Sequence, residues 1–225
     1  MKVVIIYSGG MDSFTLLNDL IINSKIDKKD IYVLSFFYGQ KHRKELGKAC
    51  LVCKELDINI KVVDITYVGD LLDSSLTKES IEVPEGYYTD ELMKHTVVPN
   101  RNMIMLSIAA GYAMTIEART VFYAAHAGDH AIYPDCREGF VKAMSATLQV
   151  SHYTPITIAA PYLTKTKADI LKIGLMLGLD YSNTWTCYKG KAHACGKCGS
   201  CVERLEAFKL NNAIDPILYE RGIEK

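Results

Sequence analysis

Val3-Val4-Ile5-Ile6 runs without interruption into Tyr7-Ser8-Gly9-Gly10-Met11-Asp12-Ser13, and this junction restricts the fold more than any other stretch. A β-branched run that ends on two glycines is a buried strand breaking into a tight turn. Phe14, Leu16, Leu17, Leu20 and Ile21 then recur at helical spacing, so the turn opens onto a helix N-terminus. Backbone N–H groups and the positive end of the helix dipole converge there and make an anion site. Gly9 and Gly10 let a ligand approach the backbone, and Ser8 and Ser13 add hydroxyl donors. The competing reading is a plain strand–turn–helix junction with Ser8 or Asp12 as its N-cap.

The same alternation continues. Strands are predicted at 31–37, 60–65, 120–125 and 156–160, with helices over 40–56, 103–118, 138–150, 168–177 and 202–210. Asn102 is the expected N-cap of the third helix, and Gly178 the stop signal of the fifth. Strand alternating with helix predicts an α/β fold, a doubly wound, mainly parallel five-stranded sheet covered on both faces. Ligands on such sheets sit at the carboxyl ends of the strands, where the Ser-Gly-Gly turn falls. The expected division is an α/β domain over 1–180, which carries the anion-binding turn, and a cysteine knuckle with its helix over 181–225.

Cys187, Cys195, Cys198 and Cys201 follow C-x7-C-x2-C-x2-C, with Gly196 and Gly199 in the short gaps. Four thiolates at that spacing close a tetrahedral zinc site, structural because every position is filled by protein. An iron–sulfur cluster is the alternative, but the ferredoxin continuation is absent. Metal binding of this kind supplies on the order of 10 kcal/mol toward ordering a segment with little apolar core. Cys50 and Cys53 form a C-x-x-C, and their helical setting favours buried apolar residues over a redox pair. Seven cysteines, an odd number, argue for a reducing, cytoplasmic setting and against a disulfide framework.

Lys+Arg and Asp+Glu are 26 each, so no strong basic field is present to hold DNA or tRNA. No apolar run is long enough to cross a membrane, and no leader pattern is expected. Residues 77–98, with Pro84, Gly86, Tyr87 and Tyr88, read as a functional loop or lid. Asn100-Arg101-Asn102 is squeezed between Pro99 and a buried helix, and a second polar run, His126 to Arg137 with Asp129, His130, Tyr133 and Asp135, falls at a strand's carboxyl end. Substrate contacts are favoured there over a second metal site.

The common phosphate-loop and dinucleotide fingerprints are missing. Instead, Ser-Gly-Gly-x-Asp-Ser resembles the pyrophosphate loop of the ATP pyrophosphatases (the PP-loop superfamily), of the Rossmann-like adenine nucleotide alpha hydrolase type. The further strings Tyr38-Gly-Gln-Lys-His-Arg43, Val98-Pro-Asn-Arg-Asn102, Tyr133-Pro-Asp-Cys-Arg137, Leu163-Thr-Lys165 and Thr184-Trp-Thr-Cys-Tyr188 narrow the likeness. Together with the cysteine knuckle they resemble the 7-cyano-7-deazaguanine synthase (QueC) family over nearly the whole chain. The run Ala124 to His130 departs from that pattern.

The resemblance implies that 7-carboxy-7-deazaguanine, ammonia and ATP are converted to the nitrile through adenylated intermediates and an amide. It implies zinc at Cys187, Cys195, Cys198 and Cys201, Mg²⁺ with ATP, and a homodimer. ATP would be held by Ser8, Gly9, Gly10, Met11, Asp12 and Ser13, with His42 and Arg43. Asn100, Arg101, Asn102, Tyr133, Asp135 and Arg137 would face the substrate. Asp12 would hold the magnesium, and Lys165 or Arg101 would be the cation at the reacting phosphate. Trp185 would stack on a base or anchor the knuckle. The alternatives are a family member that stops at the amide, a PP-loop tRNA-thiolating enzyme, an amide-forming synthetase, and a zinc module that merely binds nucleotide.

Overall fold

The computed structural model describes residues 1–86, 94–129 and 133–223. Strands β1 (Val3–Ile6), β2 (Ile31–Phe37), β3 (Ile60–Asp64), β4 (Thr120–Phe122) and β5 (Thr157–Ala159) form one parallel sheet. Their order is β3-β2-β1-β4-β5. The chain winds outward from β1 to β3, then returns to lay β4 on the other side of β1, with Val3 opposite both Ile31 and Thr120. That reversal puts the switch point between β1 and β4, where a cleft opens at the strands' carboxyl ends.

Among the described residues the α-helices are α1 (Met11–Ile22), α2 (Lys44–Leu56), α3 (Thr66–Leu71), α4 (Arg101–Thr115), α5 (Glu138–Val150), α6 (Lys167–Met176) and α7 (Gly199–Leu210). Because strand side chains alternate, β1 feeds two cores. Val4 packs on one face with Leu34, Leu106, Ala109 and Val121, whereas Val3 and Ile5 pack on the other with Leu16, Leu17, Ile170 and Phe208. Fully burying one such leucine is worth about 2–3 kcal/mol. The α4 face is built from small residues (Ala109, Ala110, Ala113), which let it lie close against the sheet. Tyr181, Ala207 and Phe208 sit in the same core cluster as β1, so residues beyond 180 share the core of the sheet.

All five predicted strands are present, β4 and β5 being shorter than predicted. Several helix boundaries differ for local reasons. The helix expected from Gln40 starts at Lys44, because Gln40 closes the end of β2. It accepts from the Tyr38 N–H at 2.8 Å and donates to the Phe36 carbonyl at 3.0 Å. Helix α4 starts at Arg101, not Met103, after Asn100 takes a left-handed φ of 58°. Asn102 is therefore no N-cap; its backbone N–H donates instead to Asp135 Oδ2 at 3.1 Å. The cysteine helix begins at Gly199 rather than Val202, and α3 was not anticipated. Gly178 ends α6 with φ 71°, as expected. Cys53 is buried but Cys50 is exposed, so only one of the pair is a core residue.

The described part of the 77–98 segment docks on the cysteine segment. Glu85 pairs with Cys198 in an isolated bridge, and the Gly86 N–H donates to the Lys197 carbonyl at 2.7 Å. Glu85 also forms an ion pair with Lys189. Tyr87, Tyr88 and His130 lie outside the described residues.

Candidate functional site

The glycine turn has the conformation its sequence implies. Gly9 has φ 93°, and a Cβ on it would stand 2.2 Å from the Glu45 carbonyl oxygen, so only glycine fits between β1 and α2. Helix α1 starts after Gly10 with no side-chain cap. Ser8 Oγ instead accepts from the Gly10 N–H at 3.1 Å and lies 3.2 Å from Ser13 Oγ. The segment before the cysteines covers this turn, the Trp185 N–H donating to the Gly9 carbonyl at 3.0 Å.

A cavity of about 220 Å³ opens above the turn, at the carboxyl ends of β1, β2 and β4. Asp12, in the first turn of α1, is the hub of its charges. Its Oδ2 lies 3.0 Å from Lys167 Nζ and 3.7 Å from His126 Nε2, and Lys167 also reaches Glu203 Oε2 at 3.0 Å. Burial alone would raise the Asp12 carboxyl, but Lys167 and then His126 hold it below the usual range. Lys167 stands at the first position of α6 because Thr166 and Asp169 form a capping box there. Glu203 comes from α7, two residues past Cys201.

A second group lies across the turn. Glu45 faces Gly10, where a Cβ would sit 2.8 Å from its Oε1, and its Oε2 is 3.3 Å from His42 Nε2. Burial pushes Glu45 up to about 7, against the pull of Ser8 and Arg101, and the same desolvation lowers His42 to about 3. Arg101 donates to the Tyr38 hydroxyl at 3.3 Å, and Tyr133 pairs with Thr96 at 2.7 Å.

Among the described residues, two buried polar atoms with no hydrogen-bond partner belong to ionisable side chains lining this cavity, Asp12 Oδ1 and His42 Nδ1; the Tyr7 hydroxyl is also unpartnered but lies toward Cys53 in the core. Leaving such a group unsatisfied costs about 1–3 kcal/mol, so the two mark a place built for a polar ligand. The unpartnered Asp12 oxygen is a hard-oxygen donor of the kind that suits Mg²⁺.

Of the residues expected from sequence, Ser8, Gly10, Met11, Asp12, Ser13, His42, Arg101, Asn102 and Tyr133 all line the cavity. Gly9 lies just behind it. Arg43 is exposed, with its guanidinium 4.7 Å over the Phe37 ring. Asp135 is occupied with the start of α4, Arg137 is exposed at the start of α5, and Asn100 is exposed before α4. None of these four lines the cavity, nor does Lys165, whose carbonyl accepts from the Ala127 N–H. The lysine in the cavity is Lys167, two residues on. Sequence reasoning also missed Glu45 and Glu203, whereas His126 opens the polar run read as substrate-facing and does line the cavity. A signal for Lys167 was present, since Thr166-x-x-Asp169 marks a helix start and puts residue 167 at the carboxyl end of the sheet.

The four cysteines converge. Their sulfurs lie within 4.8 Å of one another and all four residues are buried. Backbone N–H groups point at two of them, Cys195 N to Cys187 Sγ at 3.4 Å and Cys198 N to Cys195 Sγ at 3.2 Å. Gly196 has φ 67° in that turn, whereas Gly199 is simply the first residue of α7. Four converging sulfurs with N–H support are a soft donor set for a tetrahedral metal. Trp185 packs here, its indole N–H donating to the Cys187 carbonyl at 3.0 Å, with Lys44 4.2 Å over its ring.

A family model described as "Queuosine biosynthesis protein QueC" matches residues 2–212. A protein of Hahella chejuensis named 7-cyano-7-deazaguanine synthase is 57% identical over 219 residues, 97% of this chain and 93% of its own. One of the same name from Caldicellulosiruptor saccharolyticus is 54% identical over 224 residues, covering 100% and 98%. Among solved structures, the U34-tRNA thiolase NcsA of Methanococcus maripaludis, with its [4Fe-4S] cluster, matches with a TM-score of 0.53 at 21% identity, over 94% of this chain and 65% of that one. At that identity the likeness is one of fold.

Proposed function

The chain belongs to the QueC family of queuosine biosynthesis proteins, and on that premise we propose that it is a 7-cyano-7-deazaguanine synthase, forming the nitrile from 7-carboxy-7-deazaguanine, ammonia and ATP. The observation that carries the reading is the meeting of Lys167, Asp12 and the Ser8–Ser13 turn in one cleft, with Asp12 Oδ1 left without a partner.

A carboxylate is a poor acyl donor because its leaving group would be oxide. Its oxygen attacks the α-phosphorus of ATP, giving an acyl-adenylate and expelling pyrophosphate. The turn's N–H groups, the start of α1 and Lys167 face that departing charge. Ammonia then attacks the acyl carbon, AMP leaves and a proton is shed, giving the amide. A second ATP adenylates the amide oxygen; loss of AMP and of both nitrogen-bound protons leaves the nitrile. Arg101, half-buried beside Tyr38 in the cavity lining, would orient the deazaguanine acid against the nucleotide. Burial works against its charge, yet the phenols of Tyr38 and Tyr133 hold its proton firmly in place.

Asp12 would hold Mg²⁺ through its free oxygen, and the ion would neutralise triphosphate charge. Cys187, Cys195, Cys198 and Cys201 would hold zinc as a structural ion, ordering the segment that supplies Trp185 and Glu203 to the cleft. Free buried cysteines support a reducing, cytoplasmic setting. The homodimer rests on the family resemblance.

Mass spectrometry of the products from protein, Mg-ATP, ammonium and 7-carboxy-7-deazaguanine tests the reading. The expected result is the nitrile with two AMP per turnover. An amide that accumulates with one AMP would mean that the second adenylation is lacking, and no acid-dependent AMP would refute the reading.

A further inference from the structure

Of the two ionisable side chains with an unpartnered buried atom in the cavity, Asp12 has the magnesium to account for it, and His42 Nδ1 has nothing. His42 follows β2, is 4% exposed and lines the cavity together with Phe36, Tyr38, Tyr133 and Tyr188. Its ring centroid is 5.6 Å from that of Tyr188. Gly190 lets the Tyr188 segment lie against it: its φ is 63°, and a Cβ there would stand 2.3 Å from the Lys41 carbonyl oxygen and 3.2 Å from His42 Cα.

We propose that His42 is a specificity-determining residue for the deazaguanine acid, its Nδ1 accepting a hydrogen bond from an N–H of the heterocycle while Arg101 takes the carboxylate. This assignment rests on the synthase reading, and it gives His42 to the second substrate instead of to ATP.

The tautomer follows from the neighbours. His42 Nε2 lies 3.3 Å from Glu45 Oε2, and a neutral imidazole carries a single N–H. On Nε2 that hydrogen bonds the carboxylate and leaves Nδ1 a bare acceptor. Burial, and after it the charge of Arg101, keep the ring neutral. Other polar side chains of the lining are engaged. Gln40 is used at both ends, by the Tyr38 N–H and the Phe36 carbonyl. The Tyr133 hydroxyl pairs with Thr96, and Asn102 Nδ2 donates to Cys136 Sγ at 3.3 Å. Asp135, expected to face the substrate, does not line the cavity. A deazaguanine has ring N–H groups and an amino group, which need acceptors once water is excluded. The aromatic side chains suit its flat faces. Arg101 is near enough for its charge to act on His42, so one planar acid can meet both. The adenine of ATP has an amino group but no carboxylate.

The test measures calorimetric binding of 7-carboxy-7-deazaguanine, and acid-dependent exchange of labelled pyrophosphate into ATP, in wild type, His42→Gln and His42→Asn. Glutamine sets its amide near the position of Nε2, keeping the Glu45 contact and leaving Nδ1 unreplaced; asparagine does the reverse. For His42→Gln the expected result is a rise of about 10- to 100-fold in Kd and KM for the acid, with KM for ATP changed less than about threefold. His42→Asn should bind the acid more tightly than His42→Gln. A loss of folded protein lowers the number of sites and the maximal rate but moves neither constant. The 1-methyl, 9-methyl and 2-deamino analogues of the acid identify the N–H: wild type should bind one of them about 10- to 100-fold more weakly than the acid, and His42→Gln should erase that penalty. An acid Kd for His42→Gln within about threefold of wild type would overturn the proposal. So would a loss that falls on KM for ATP, which would make adenine the partner, a weaker acid affinity in His42→Asn than in His42→Gln, or analogue penalties that are absent in wild type or survive the substitution. Wild type that neither binds the acid nor shows acid-dependent exchange would overturn the synthase reading itself, a separate failure.

Discussion

Replacing Lys167 with methionine tests the charge arrangement at the centre of the cleft. Its ammonium is 3.0 Å from a carboxylate oxygen of Asp12 and 3.0 Å from one of Glu203, so those oxygens are at most about 6 Å apart. Without the ammonium they repel by about 3 kcal/mol at an effective dielectric near 20. Breaking a buried ion pair from one side costs about 3–5 kcal/mol, and Lys167 is only 7% exposed. The low end applies, because each carboxylate keeps some contact with water and one of them can take up a proton. A loss of about 3 kcal/mol in a chain of this size lowers Tm by roughly 6–12 °C. Acid-dependent pyrophosphate exchange, measured well below that Tm, should fall about 100- to 1000-fold for want of the cation at the departing charge. Lys165→Met, outside the cavity, should stay within about threefold in exchange and about 2 °C in Tm. Equal effects at the two lysines, or exchange by Lys167→Met within about threefold of wild type, would refute the charge arrangement.

Glu45 and His42 should leave opposite marks on stability against pH. The Glu45 carboxyl is raised from 4.5 to about 7 on folding, so its contribution is full below pH 4.5 and lost as pH rises through 7, about 3 kcal/mol in all. Glu45→Gln should therefore gain stability over wild type as pH rises across that window, which urea unfolding would show; a constant difference would contradict it. The His42 imidazole is lowered from 6.5 to about 3, so stability drops as pH falls from 6.5 toward 3, and His42→Gln should flatten that drop. Stripping metal with a chelator should release one zinc per chain by atomic emission and expose Trp185, seen as a red-shifted fluorescence; iron in its place would replace the zinc assignment. Arg204 is fully buried and holds Asp215 through two bonds of 2.7 and 2.8 Å. Arg204→Lys, which cannot form that fork, should cost about 3–5 kcal/mol in urea unfolding.

Much of this was legible because the signals are local. The apolar run before Ser8 and the helical spacing after it are backbone statements, and β1, the turn and α1 formed where they were read. The cysteine spacing read equally well, since a short turn can bring only nearby thiols together. Helix starts misled where a side chain from elsewhere intervened. Asp135 looked like a substrate group and instead receives the Asn102 N–H of α4. Lys165 looked like the cleft cation, but the Thr166 cap turns the chain so that Lys167 enters.

By itself the sequence determined the α/β alternation, the glycine turn, the four-cysteine site and the family. Tertiary structure alone decided who stands around Asp12: Lys167 from α6, Glu203 from the cysteine helix, His126 after β4, and Glu45 across the turn. Periodicity reports which face of an element is buried and carries no information about which distant element packs beside it. A cleft assembled from five separate segments is fixed by the crossing of β1 to β4 and by the packing of α1, α6 and α7, where non-local contacts bring charges within ion-pair distance and desolvate them together.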